Sequence, residues 1–103
     1  MASWVSAGRA DNLAPGKVRT VFGGRGRLAV CNVDNSYYCI DDVCTHDGAS
    51  FETGELDGCE IECPRHGARF DVTTGRATCM PAIVPVKVYP VRIENGEIQI
   101  QVD

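Results

Sequence analysis

Cys44-Thr45-His46-Asp47-Gly48 and Cys63-Pro64-Arg65-His66-Gly67 hold the only two histidines of a 103-residue chain, and each histidine stands beside a cysteine. Thiolate and imidazole together are metal ligands. Two Cys and two His can close the tetrahedron of one zinc ion, or divide between the irons of a [2Fe-2S] cluster. The spacing separates these readings. Cys-x-His, sixteen residues, then Cys-x2-His puts one Cys and one His in each of two loops, which suits a two-iron cluster gripped from both sides. The usual zinc pattern instead groups Cys-x2-Cys with His-x3-His or longer.

Around these blocks Gly and Pro divide the chain into short segments whose apolar residues alternate or cluster as half-buried strands require, with little helical periodicity. The expected fold class is all-β. Trp4-Val5 opens an edge strand, and Leu13-Ala14-Pro15-Gly16 turns the chain. Lys17 to Phe22 and Arg27 to Val33 form a hairpin around Gly23-Gly24-Arg25-Gly26. That glycine run is a turn, because it lacks the Lys-Ser/Thr end of a phosphate loop and no helical pattern follows. Asp34-Asn35 turns into Ser36 to Asp41. Val86 to Glu94 and Glu97 to Val102 flank Asn95-Gly96, the chemistry of a type I′ turn. There Val91, Ile93, Ile98, Ile100 and Val102 alternate with polar residues, so one face of this last hairpin is expected to be buried. Both ligand blocks fall between strands. Residues from about 43 to 82 are therefore expected to form a small cluster-holding subdomain, inserted into a β base of about 1–42 and 83–103.

At this length the chain is one domain, with room for a modest core but not for a separate catalytic domain. The formal charge is −4, and its Lys and Arg are scattered, so there is no electrostatic footprint for nucleic acid. No stretch is long enough to span a bilayer, and Met1 to Pro15 contains Arg9 and Asp11 and no unbroken apolar run. The expectation is a soluble, cytoplasmic protein with protein partners. Six cysteines raise the question of a disulfide framework, but that reading needs a secretory context. Cys31, Cys39, Cys59 and Cys79 are instead expected to act as buried or half-buried small hydrophobes.

The two blocks, the glycine after each His, Gly54-Glu55-Leu56-Asp57-Gly58 between them, Phe70-Asp71-Val72 and Thr74-Gly75 after them, and the final hairpin resemble the Rieske [2Fe-2S] proteins over nearly the whole chain. Within that family the sequence is most similar to the small ferredoxins that serve bacterial ring-hydroxylating dioxygenases. The resemblance implies a Rieske-like antiparallel β sandwich and one Rieske-type [2Fe-2S] cluster per chain, with Cys44 and Cys63 on one iron and His46 and His66 on the other. It also implies a third loop, Cys79-Met80-Pro81-Ala82, covering the cluster. Such a protein is an electron carrier and not an enzyme. It would pass one electron from a flavin-dependent NAD(P)H reductase to the terminal oxygenase of an aromatic-ring dioxygenase system, docking transiently at the His46/His66 tip; a monomer suits a diffusing carrier. A self-contained oxygenase would need a second iron on two histidines and a carboxylate, and both histidines are committed. The run Cys63 to Asp71 is similar as well to Rieske subunits of assimilatory nitrite reductases and to Rieske proteins that travel with iron-sulfur assembly. A structural zinc module is the alternative of another class.

Neutral imidazole lowers the ligand charge, so Rieske centres run at roughly −150 to +300 mV against about −400 mV for plant-type ferredoxins. The high-potential respiratory branch has a disulfide between the ligand loops at positions that here are Ala49 and Arg65, and Ser and Tyr hydroxyls where this chain has Ala68 and Phe70. Without those donors the expected potential is about −150 mV. Gly48 and Gly67 are expected to let the backbone approach the cluster sulfurs closely. Asp41, Asp42, Asp47 and Arg65 are expected to steer docking.

Overall fold

The structure, a computed structural model, describes residues 3–23, 26–45, 48, 50–52, 54–64, 67–80 and 84–102. The chain enters as β1 (Ser3–Arg9), passes a 3-10 turn (Ala10–Asn12), and lays down β2 (Val18–Gly23), β3 (Gly26–Val33) and β4 (Ser36–Asp41) as antiparallel neighbours. Gly23 pairs with Gly26, so the strands run into the glycine segment and leave only Gly24-Arg25, which lie outside the described residues, to connect them. At the other end Asp34 (φ 52°) and Asn35 (φ 69°) make a left-handed two-residue turn, which short polar side chains tolerate. Buried Asn32 secures it: Asn35 N–H donates to Asn32 Oδ1 at 2.8 Å, while Asn32 Nδ2 donates to Leu13 O at 2.7 Å.

After β4 the chain makes a long excursion that contains its own antiparallel sheet, β5 (Leu56–Asp57), β6 (Glu60–Glu62), β7 (Arg69–Asp71) and β8 (Ala77–Cys79), paired in sequence order. It returns as β9 (Val88–Tyr89), which pairs with β4 through Ile40–Val88 and Cys39–Tyr89. Asp41 N–H donates to Lys87 O at 3.0 Å, so the excursion leaves and re-enters the sheet β2-β3-β4-β9 at adjacent points. The last strands, β10 (Val91–Glu94) and β11 (Glu97–Val102), join β1 in a third sheet ordered β1-β11-β10.

The single strand expected from Val86 to Glu94 is therefore two strands in two sheets. Pro90 has no N–H for a ladder and divides them; its carbonyl accepts Gln101 N–H at 3.0 Å. Asn95 (φ 54°) and Gly96 (φ 76°) form the expected turn. The buried face belongs mainly to β11, through Ile98, Ile100 and Val102, whereas Ile93 on the edge strand β10 is 47% exposed.

The all-β sandwich is observed, and β3 explains its layering, because it is buried on both faces. Leu28 and Val30 pack with Ala7, Ile98 and Ile100 of the β1-β11-β10 sheet. Ala29 and Cys31 pack with Phe51, Ile61 and Phe70 of the excursion. Each large apolar side chain so removed from water contributes about 1.5–3 kcal/mol. Arg19 stitches the seam between β2 and β1, its guanidinium donating to Ala7 O at 2.6 Å and Arg9 O at 3.2 Å. Among the described residues no helix is long and apolar enough to cross a membrane.

Candidate metal centre

Cys44 follows the neck of the excursion, and Cys63 follows β6. Both are fully buried, and they share one cluster of apolar side chains with Ala68, Phe51 and Phe70. The fold thus brings together two cysteines that are far apart in sequence. Each stands at the root of the same turn: Gly48 N–H donates to Cys44 O at 2.7 Å, and Gly67 N–H donates to Cys63 O at 3.1 Å. Each turn closes on a glycine in the left-handed region, φ 77° and 76°. A side chain there would be strained. Among the described protein atoms, a Cβ on Gly48 would meet nothing within 4 Å, and one on Gly67 only Glu62 Oε2 at 4.0 Å. The glycines are required by the turn.

His46 and His66 lie outside the described residues, as do Asp47, Ala49, Arg65, Pro81 and Ala82. The flanks of the expected third loop are defined. Cys79 ends β8, Met80 follows it, and Val84 O accepts the Thr45 hydroxyl at 2.6 Å, tying the returning chain to the first ligand loop.

Asp42 is not available for steering. Asp42 is completely buried: its carboxylate accepts Phe51 N–H at 2.6 Å, the Ser50 hydroxyl at 2.7 Å and the Thr20 hydroxyl at 3.0 Å, with Arg27 Nε at 3.8 Å. A carboxylate so engaged presents little field to a partner. Asp41 accepts the Tyr89 hydroxyl. Behind the second loop Arg69 reaches three carboxylates, Asp57 at 3.1 Å, Glu62 at 3.0 Å and Glu60 at 3.5 Å, spanning β5, β6 and β7. Those bonds, first to Asp57 and then to Glu62, hold its guanidinium above its ordinary pKa. Sequence reasoning passed over Arg69 and took Asp42 for a docking charge; only the fold assembles the partners of either residue.

The remaining cysteines divide. Burial pushes the Cys31 thiol up to about 12, with the Asp42 charge adding to it, and burial raises Cys39 as well, so both are inert fillers on opposite faces of the central sheet. Cys59 and Cys79 are exposed, contrary to expectation, because each sits at the rim of the small sheet. None of these four forms a disulfide.

Two thiols from separate loops, in one dry core, fit a group that takes two thiolates. Among the described residues no three Cys, His, Asp or Glu side chains are placed to hold a metal ion; the expected histidine half of the donor set lies outside them. The chain belongs to the Rieske [2Fe-2S] domain family, whose sequence profile matches residues 3–90. Its cofactor is a Rieske-type [2Fe-2S] cluster. It is similar to the ferredoxin component of the naphthalene 1,2-dioxygenase/salicylate 5-hydroxylase systems of a Ralstonia species, 39% identical over 98% of this chain and 97% of that one. Among solved structures it resembles a chain in the complex of reduced oxygenase and oxidized ferredoxin of carbazole 1,9a-dioxygenase, with a TM-score of 0.90 and 40% identity over 94% of this chain and 91% of that chain. A putative NADH-dependent nitrite reductase small subunit from Mycobacterium tuberculosis gives a TM-score of 0.86 at 25% identity, covering 98% and 96%.

Proposed function

We propose that this chain is the ferredoxin component of an aromatic-ring dioxygenase system, a one-electron carrier between a flavin-dependent NAD(P)H reductase and a terminal oxygenase. The observation that carries it is the pair Cys44 and Cys63, buried together at the roots of matching turns in a fold close to that of a ferredoxin solved with its oxygenase. In this reading Cys44 and Cys63 hold one iron and His46 and His66 the other, within a cluster-binding unit of about residues 43–82. When bound, the cluster supplies a one-electron couple at constant composition. The chain itself supplies the dry cysteine side and a rim for docking.

That rim is apolar in part. Val43 (40% exposed), Met80 (76%) and Val84 (54%) flank the ligand loops and make up half of the large hydrophobic side chains exposed among the described residues. A carrier must let go quickly, so the contact it makes should be small, below about 1,200 Å² in total. The nitrite reductase reading is weaker, since the likeness there falls to 25% identity against 40%. A cytoplasmic location fits this reading, since an NAD(P)H-dependent reductase draws on a donor regenerated there.

The decisive experiment is electron paramagnetic resonance of the anaerobically purified, dithionite-reduced protein, with iron, acid-labile sulfide and zinc measured on the same sample. A strongly anisotropic signal of low average g with two irons and two sulfides per chain is expected. A silent spectrum with stoichiometric zinc and no sulfide would overturn the reading. Product formation by a ring-dihydroxylating oxygenase and its NADH-dependent reductase should then require this chain.

A further inference from the structure

The two ligand loops are held shut by different means. The second is the connection of a hairpin: β6 and β7 pair up to Glu62–Arg69, and Cys63 N–H donates to Ala68 O at 2.7 Å, carrying the ladder into the loop itself. The first has no such frame. Its entry comes off β4, whose partners are β3 and β9, and its exit leads to β5, whose partner is β6, so no strand pairing joins the two ends among the described residues. A loop without a ladder at its base opens readily, because each opening gains chain entropy against few lost bonds.

We propose that Asp42 is the positioning residue that replaces this missing ladder, a buried latch closing the first ligand loop on the cluster; the proposal rests on the Rieske reading given above. Its backbone is fixed to the central sheet, since Asp42 N–H donates to Arg27 O at 3.1 Å and Arg27 Nη2 donates to Asp42 O at 3.1 Å. Its carboxylate then reaches across the loop. Oδ1 takes Phe51 N–H at 2.6 Å and Oδ2 takes the Ser50 hydroxyl at 2.7 Å, while Thr20 on β2 holds the same oxygen at 3.0 Å. Asp42, two residues before Cys44, is thereby bonded to Ser50 and Phe51 on the far side of the loop. Phe51 is locked in turn, fully buried with its ring edge-on to Phe70 at 5.5 Å, in the core that holds both cysteines. Among the described residues every hydrogen-bond partner of the side chain is a donor, and a buried donor that loses its acceptor is costly to leave unmatched. An amide in its place must turn its NH2 toward some of those donors.

The test compares the cluster-loaded protein with Asp42→Asn, Asp42→Ala and Ser50→Ala, measuring absorbance loss and iron release in excess chelator well below the melting temperature. Two controls set the scale. Ile98→Val weakens the opposite core, and Glu62→Gln breaks an ion pair behind the second loop. The latch predicts cluster loss about tenfold or more faster in the Asp42 variants, a smaller acceleration in Ser50→Ala, and a rate within about twofold of the unaltered protein in both controls. Should Asp42→Ala fail to fold, Asp42→Asn and Ser50→Ala still decide. Unchanged rates in those two would overturn the latch, as would rates that follow melting temperature alike in the Asp42 variants and Ile98→Val, which would make Asp42 an ordinary stabiliser of the fold. Absence of iron and sulfide from the unaltered chain is separable from all of these, since it would overturn the Rieske reading itself.

Discussion

Ala68 and Phe70 are fully buried in the core that holds Cys44 and Cys63, and neither brings a hydroxyl to it. A donor placed there would stabilise added negative charge, so Ala68→Ser and Phe70→Tyr should each move the reduction potential upward from about −150 mV. Protein-film voltammetry decides, and a value above zero for the unaltered protein would refute the account. Cys31 and Cys39 make a different prediction. Cys31 is raised from an ordinary 9.0 to about 12, chiefly by burial, and Cys39 is raised too, by burial and then by Cys31 and Asp41. Above 9.0 the unfolded chain sheds these protons while the folded chain keeps them, so the stability they contribute is full below about pH 9 and is lost as pH rises toward about 12. Melting curves from about pH 8 to about 10.5 should fall less steeply in the Cys31→Ala/Cys39→Ala double variant; equal slopes would show that other groups control the decline.

At the scale of elements, the hairpins were legible because alternation and turn chemistry are local. Asp34-Asn35 and Asn95-Gly96 carry residues that tolerate positive φ, and β11 alternates buried and half-buried residues along its length. Asn32 shows what local pattern omits. It lies inside β3 yet serves two loops, and its partners Leu13 and Asn35 are bound through their backbones, which no side-chain pattern reveals. Asn32→Ala should cost about 1–3 kcal/mol by leaving Leu13 O and Asn35 N–H without it, read as a lower melting midpoint with the cluster spectrum unchanged. The exposure of Cys59 and Cys79 was equally hidden. Apolarity predicts burial on average, but the rim of the small four-stranded sheet leaves both of these side chains exposed.

For the whole molecule, one sheet lies between two cores that share only its strands, Leu28 and Val30 facing one and Ala29 and Cys31 the other. Ile100→Ala, in the core remote from the cysteines, should therefore destabilise the fold by about 2–5 kcal/mol while leaving the paramagnetic spectrum unchanged below melting. A changed spectrum would mean that the layers are coupled. Charge is divided unevenly along the chain: residues 43–82 contain seven Asp or Glu against three Arg, and the rest seven acidic against seven basic residues, so the formal −4 belongs to the segment that includes Cys44 and Cys63. By itself the sequence determined the cofactor class, the candidate ligands Cys44, His46, Cys63 and His66, and the all-β character, because ligand chemistry and strand periodicity are written in residue type and spacing. Tertiary structure decided that Asp42 is enclosed and cannot steer, that Pro90 sends its two neighbouring strands to different sheets, and that the β6-β7 ladder runs on to Cys63 while the Asp42 side chain ties the chain before Cys44 to Ser50 and Phe51. These depend on which groups meet across the sheets, and partners distant in sequence leave no mark in the pattern of either one alone.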